Sequence, residues 1–464
     1  MQSVVQTAAA SVNAPLVIAV TDRMGNVLAV FRKTGAPTTA AGNFQVAVDS
    51  SDLAVALART GAFFSNDQAP LSSRTVRFIS GIHFPPGIAN TANAALYGIE
   101  NTNRGCGFNT TFRPGQSVPP ARTLSGGVGL GVITGKADTS DSDPSAVNPG
   151  GVPLFKNGEL VGGIGVVGPT PQVSEFAAFS GASSGVTSPL PVSPLPSPGV
   201  VIVDGVSLPF VNQTTLPSGF APDTAASGTL TVGPIAAPSL PPEGDLIVPQ
   251  GGTGGLTASD VQNILDQAEA TARITRAVIR LPAGSRTRMS IAVADVDGTL
   301  LGLRRMEDGT VFSIDVAVAK ARNVVWFSTA GSLDLPGVPS STAVTNRTIS
   351  FGAQPLFPPG INGSSAGPFF SLYQFDTAHP CSQGSQPANA KESGVVFFPG
   401  SAPLYKNGVL VGGLGVSGDG VDQDDYVTAA GAQNFLAPDA IRADQVIINS
   451  VRLPYWKFPR NPTD

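Results

Sequence analysis

One peptide occurs twice in this chain. The stretch Leu154 to Val166 (LFKNGELVGGIGV) returns as Leu404 to Val416 (LYKNGVLVGGLGV), identical at ten of 13 positions and offset by 404 − 154 = 250. Other echoes follow in the same order. Asp22 matches Asp295, Arg74 matches Arg347, and Pro85 to Ile88 match Pro358 to Ile361, all at offset 273. Ala54 to Ser65 match Ala317 to Ser328 at offset 263, and Val201 to Phe210 match Val446 to Tyr455 at offset 245. Constant order with a drifting offset marks a duplicated module whose loops have gained or lost residues. A period this long is a domain duplication, not a solenoid. The modules are drawn as residues 1–210 and 256–464, with 211–255 as a Pro/Gly/Ser/Thr-rich linker.

Each copy repeats one local grammar. A capping-box pair, Thr257 and Asp260, opens a helix with Val261, Ile264, Leu265 and Ala268 on one face; Val4, Val5, Ala8 and Ala9 stand in its counterpart. Two strands around a turn follow, Leu16–Val20 with Val27–Phe31, and Ser290–Ala294 with Leu300–Leu303. Next come an Ala-rich helix (Asp49–Phe64, Ile314–Phe327) and a long irregular stretch. Asn157-Gly158 and Asn407-Gly408, each between apolar runs, are hairpin turns. A helix with Asp424 and Asp425 in its first turn runs to Phe435, and a last strand closes each copy at Val201–Leu208 and Val446–Leu453. The order α-β-β-α-β-β-α-β predicts an α+β module, an antiparallel sheet packed with helices. Pro189 to Val201, with five prolines, reads as an extended surface loop.

Composition excludes some classes. The 27 basic residues form no run and the formal net charge is −5, so nothing marks a nucleic-acid surface. No apolar stretch approaches the ~18 residues of a membrane span. Cys106 and Cys381 differ by 275 and hold equivalent places in the copies. Near a pseudo-twofold axis they would form a disulfide joining the modules, provided their Cα atoms come within ~7 Å. Otherwise they are two loop thiols inherited with the duplication. Met1 aligns inside the first helix of copy two, past its cap, so an N-terminus trimmed of that cap is expected; the lack of a visible leader says little about location. The expected compartment is extracellular or periplasmic.

The glycine-rich hairpin carries a resemblance. Gly150-Gly-Val-Pro-Leu154, Asn157-Gly158 and Val161-Gly-Gly-Ile-Gly-Val166 resemble the signature of HbpS/GlcG-type haem-binding proteins. Copy two adds Ile291-Ala-Val-Ala-Asp295, Gly298, Leu300, Gly415-Val-Ser-Gly418 and Gln423-Asp424-Asp425. Copy one departs from the pattern with Val167 in place of Ser and without the acidic helix start. Copy two has Ser401 in place of the second Gly. The resemblance implies a profilin-like α+β fold, self-association, and binding of haem or a related planar or carboxylate ligand. The function it implies is non-enzymatic ligand binding by an intramolecular pseudo-dimer, alone or in a homo-oligomer or larger assembly. The other readings are a structural or partner-binding subunit of an extracellular assembly with decayed ligand sites, and an enzyme acting through arginines and acids.

Haem needs an axial ligand. The histidines, His83 and His379, are not equivalent: His83 aligns with Leu356 and His379 with Arg104. His83, between Ile82 and Phe84, suits a pocket wall; His379 lies two residues from Cys381 and suits a metal site only with further ligands. Arg59/Arg322 and Arg74/Arg347, near Phe64/Phe327, suit a carboxylate such as a propionate, or else bond loop carbonyls. Asp419, Asp422, Asp424 and Asp425 suit a hard cation, or else cap a helix. The strand glycines suit a flat ligand, or else give room to a packed helix. No Ser-His-Asp arrangement, P-loop or HExxH is present.

Overall fold

The computed structural model describes residues 1–108, 121–191, 201–233, 240–329 and 333–464. These form two compact units. Residues 192–200, most of the proline-rich loop, lie outside the described residues.

The first unit comprises Met1–Ile79, Asn103–Gly105 and Pro119–Pro241. Helix α1 (Gln2–Ser11) buries Val4, Val5, Ala8 and Ala9, the face its periodicity predicts. Strands β1 (Val17–Asp22) and β2 (Val27–Lys33) pair antiparallel. A small ribbon of β3 (Thr39–Ala41) and β4 (Ala47–Asp49) leads into α2 (Ser50–Phe64), whose first turn is capped by the Asp49 carboxylate. Helix α3 (Ser73–Phe78) opens on a capping box between Ser72 and Thr75. The remaining elements are β5 (Gly151–Lys156), β6 (Glu159–Val167), α4 (Pro171–Ala182), a short hairpin of β7 (Ile202–Val203) and β8 (Val206–Ser207), and β9 (Gly228–Val232). The sheet order is β5-β6-β1-β2-β9. Alternation along β1 splits its side chains between two layers. Leu16, Ile18 and Val20 join α1 and α4 in one core, and Val17 and Ala19 join α2 in the other.

The second unit comprises Ser80–Thr102, Cys106–Val118 and Pro242–Asp464. It repeats the architecture with β10 (Gly244–Ile247), α5 (Ala258–Ile274), β11 (Ser290–Ala294), β12 (Leu300–Arg305), α6 (Phe312–Phe327), α7 (Asn346–Gly352), β13 (Ser401–Lys406), β14 (Val409–Ser417), α9 (Val421–Gly431) and a closing hairpin of β15 (Ile447–Ile448) and β16 (Val451–Arg452). Helix α8 (Phe370–Ala378) precedes β13. The sheet order is β10-β12-β11-β14-β13. Equivalent residues hold equivalent registers: Ala19 faces Gly165, and Ala292 faces Gly415. Asn157 and Asn407 both turn at positive φ, 55° and 50°, before a glycine, as a tight I′ hairpin requires.

Several elements depart from the sequence reading. Residues 211–255 are more than a linker, because β9 and β10 lie in that stretch and complete one edge of each sheet. The "irregular" stretches hold α3, α7 and α8. The last strand of each copy is a two-stranded hairpin instead. The α9 helix ends at Gly431, short of Phe435.

Within the second unit, residues 80–102 and 106–108 pack on the corresponding stretch from copy two. Tyr97 stacks on Tyr373 with ring centroids 4.9 Å apart. The Asn101 side-chain amide donates to Thr377 Oγ1 at 3.0 Å. Cys106 and Cys381 are disulfide-bonded, Cα atoms 5.4 Å apart, a span that suits the bond.

Candidate functional site

The glycine-rich hairpin is covered by helix. A Cβ at Gly163 or Gly165 would strike the carbonyls of Ala58 and Ala54 on α2; at Gly413 or Gly415 it would strike those of Ala321 and Ala317 on α6. Helix backbone lies directly on these strands, so this face has no room for a flat ligand. Gly162 and Gly412 instead lie against strand carbonyls, those of Thr21 and Ala294.

Arg74 and Arg347 do not present free guanidinium groups. Arg74 forms a bidentate pair with Glu175 of α4, at 2.6 and 2.8 Å. Arg347 pairs with Asp425 and, at 2.6 Å, with Asp422, both on α9. Glu175 and Asp425 are equivalents at offset 250, although the first turn of α4 holds no acid, as expected for copy one. Each acid also holds the segment after the closing hairpin: Glu175 accepts the backbone N–H of Asn212 at 3.2 Å, and Asp425 that of Lys457 at 3.1 Å. Capping-box hydroxyls hold the same segments, with Thr75 donating to the Pro209 carbonyl and Thr348 to that of Pro454, both at 2.7 Å. The arginine, acid, hydroxyl and strap form a latch present in both copies. The sequence did hold a signal for Glu175: it sits at the repeat position of Asp425.

Arg59 and Arg322 hold a turn. Arg59 Nε donates to the Gly25 carbonyl and Arg322 Nε to that of Gly298, both at 2.9 Å. The remaining donors reach the Arg122 carbonyl at 2.6 Å in one copy and the Ser393 hydroxyl in the other. Burial pushes both guanidinium groups down to about 10, against the pull of Asp52 and Asp22 on Arg59 and of Asp297 on Arg322. The cavity beside Arg59, lined also by Asp52, Asn103 and Arg122, has a volume of about 10 Å³, room for one water. A ligand site takes ~300–1,000 Å³. Phe64 and Phe327 are fully buried and offer no open ring face. The expected propionate clamp of arginines with these phenylalanines is thus corrected: carbonyls, carboxylates and core packing take up its groups.

The acids on α9 do not form a cation site. Among the described residues no three His, Cys, Asp or Glu side chains gather to hold a metal. Asp422 meets Arg347 and Lys457, Asp425 meets Arg347, and Asp424 meets Lys320. Asp419 pairs with Arg280. Each carboxylate is matched by a cation, which removes the negative field a hard ion needs. His379 is exposed and stacks on Phe375 at 4.1 Å, with Nδ1 on the Phe375 carbonyl at 3.0 Å; it joins no metal cluster. Lys320 passed unnoticed in the sequence, because nothing in α6 distinguishes it from a solvated lysine.

His83 is half-buried, and its Nδ1 lies 3.0 Å from the Thr91 carbonyl. A carbonyl only accepts, so this contact puts a proton on Nδ1, and in the neutral imidazole the lone pair then lies on Nε2. Among the described residues Nε2 has no hydrogen-bond partner. A histidine bonded through Nδ1–H with Nε2 open is the arrangement that metal-ligating imidazoles need. As a test of fit to haem, the donor atom suits, and the arginine clamp does not.

Comparison with known proteins now bears on these modules. Residues 256–433 match the family model of HbpS-like proteins, described as haem degrading protein HbpS-like. No curated protein matches. Among solved structures, the PduOC:heme complex is 22% identical over 38% of this chain and 91% of that chain, with a TM-score of 0.25. Klebsiella pneumoniae protein ORFY, of the DUF336 family model, is 20% identical over 42% of this chain and 96% of that chain, also with a TM-score of 0.25. Residues 256–433 are thus similar to the HbpS-like family, and copy one repeats the order of elements found there.

Proposed function

We propose that this protein binds haem or a related small planar ligand through the imidazole of His83, without turning it over. The observation that carries the reading is the His83 Nδ1 contact to the Thr91 carbonyl at 3.0 Å, which leaves Nε2 as an open donor. The HbpS-like match at residues 256–433 supports haem as the ligand class. When bound, haem would supply an iron with an imidazole on one face; His83 would hold and orient it, and Ile82 and Phe84 would give it apolar neighbours. One site per chain is expected, since copy two has Leu356 at the matching position. The chain then works as two fused modules, 1–210 and 256–464 joined by 211–255, paired as an intramolecular dimer. The disulfide suits an exported protein, extracellular or periplasmic.

A second reading is a structural or partner-binding subunit with decayed ligand sites. The glycine faces covered by helix and the arginines engaged in both copies favour it. Titration of the purified protein with haemin, followed by visible absorption, separates the two. A red-shifted Soret band saturating at one equivalent supports binding. An unchanged spectrum supports the structural reading. A Soret band that forms and then bleaches under reductant and oxygen overturns the claim that the ligand is not turned over.

A further inference from the structure

The second unit holds a lysine in a place that has no counterpart in the first. Lys320 of α6 is fully buried, and its Nζ donates to Asp424 Oδ2 at 3.0 Å and to the Val416 carbonyl at 2.8 Å. The Phe398 ring lies 5.0 Å from Nζ. The other carboxylate oxygen of Asp424 is buried and has no partner among the described residues. A Cβ at Gly400 would come within 2.7 Å of both Lys320 Nζ and Asp424 Cβ, so the glycine leaves the room this pair occupies. The equivalent residues of copy one are Leu57 and Ser174, which carry no charge.

A buried ion pair rarely stabilises more than an apolar pair of the same volume. Here one carboxylate oxygen is unmatched as well, an arrangement that costs more still. Next to this pair stand Asp425, Asp419, Asp422 and Arg347, but Asp425 and Asp422 are engaged with Arg347, and Asp419 with Arg280. Among the described residues Lys320 and Asp424 are thus each other's only ion-pair partner, out of water, amine against carboxyl.

We propose that Lys320 Nζ and the Asp424 side-chain carboxyl condense to an intramolecular amide, which ties α6 to α9 by a covalent bond. The pair's own proton first passes from nitrogen to oxygen, giving a neutral amine and a neutral acid. The nitrogen lone pair then attacks Asp424 Cγ and a C–N bond forms. One Cγ–O bond breaks, and the departing hydroxyl takes a proton shed by Nζ and leaves as water. Nothing is oxidised or reduced and no co-reactant enters. Burial favours the neutral partners on both sides: it lowers the lysine and pushes Asp424 up to about 7. A desolvated lysine is an activated nucleophile. Fixed contact replaces a bimolecular encounter, which is worth effective concentrations of roughly 10⁵–10⁸ M. The product carries no charge, and its N–H can keep the bond to the Val416 carbonyl.

The test is the mass of the intact chain, denatured and with its disulfide reduced, followed by a tryptic map. The expected mass is lower than the sequence mass by one water, with a branched peptide joining the Lys320 and Asp424 segments and no cleavage after Lys320. Cyclisation at Asp297-Gly298 also loses water, but gives no branched peptide and leaves Lys320 cleavable; that outcome overturns the proposal. So does the full sequence mass with both residues in linear peptides. The Lys320→Met chain should return to its own sequence mass. Should that variant fail to fold, the map of the parent protein still decides.

Discussion

Asn90 and Asn362 bond each other reciprocally: the backbone N–H of Asn90 donates to Asn362 Oδ1 at 2.7 Å, and that of Asn362 donates to Asn90 Oδ1 at 2.9 Å. At offset 273 Asn90 matches Gly363 and Asn362 matches Ala89, so the two asparagines stand one place apart in the repeat frame. Each gives a backbone N–H and a side-chain oxygen, so the contact is reciprocal without joining like positions. Tyr97 with Tyr373 and Cys106 with Cys381 join the same two stretches of chain. The duplicated loops therefore hold each other, and the disulfide fixes that contact covalently.

The bond should leave no reactive thiol. Titration under denaturing, non-reducing conditions should find none, and two after reduction. The Cys381→Ser chain should lose about 2–5 kcal/mol of stability, because the closed loop is long. Two free thiols in the untreated protein would remove the bridge.

The latch acids should matter more than surface acids. Glu175 has a side chain only 1% exposed and meets both nitrogens of Arg74. Glu175→Ala leaves that arginine without its partner and frees the strap at Asn212, so a loss of about 3 kcal/mol is expected in urea unfolding. Glu159→Ala, at the exposed start of β6, should change little. Equal effects from the two would sink the latch.

The strand glycines are a packing requirement. Gly163→Ala and Gly413→Ala place a methyl group against the carbonyls of Ala58 and Ala321. Each should destabilise by about 1–3 kcal/mol. A neutral result by thermal unfolding would show that the helices sit farther from the sheets.

Ligand binding should depend on one histidine. His83→Ala should abolish the Soret shift on adding haemin, whereas His379→Ala keeps it. If both variants bind like the parent, the ligand is held elsewhere.

Acid should weaken one helix start. Burial opposes the charge of Asp260, but bonds from Lys406 and Thr257 outweigh it and hold the carboxyl at about 2. A carboxyl lowered in the folded state adds stability above its unfolded value, near 4, and that stability drains away as pH falls toward 2. Lys406→Met should flatten the loss between pH 4 and 2. An unchanged profile would take Lys406 out of the account.

Much of the fold is legible in local pattern. The capping box at Thr257 and Asp260, the Asn-Gly hairpins and the amphipathic face of α5 all depend on residues close along the chain, and the repeat offsets show that each occurs in a duplicated frame. The edge strands β9 and β10 escape the same reading, because short segments rich in Gly, Thr and Pro acquire strand form only by pairing with β2 and β12.

The site was legible only as a set of residue types. Sequence identified arginines, acids and histidines at repeated or unrepeated positions, and fixed that His83 has no twin. It could not assign partners, because a charged side chain takes whichever opposite charge the fold brings near. Arg74 meets Glu175 across 101 residues, Arg347 meets Asp425 across 78, and Lys320 meets Asp424 across 104. Helix, strand and turn come from neighbours along the chain; the arginines' partners, the cysteine bond, the covered glycines and the open His83 nitrogen come from tertiary packing, where long-range contacts decide which polar groups remain free.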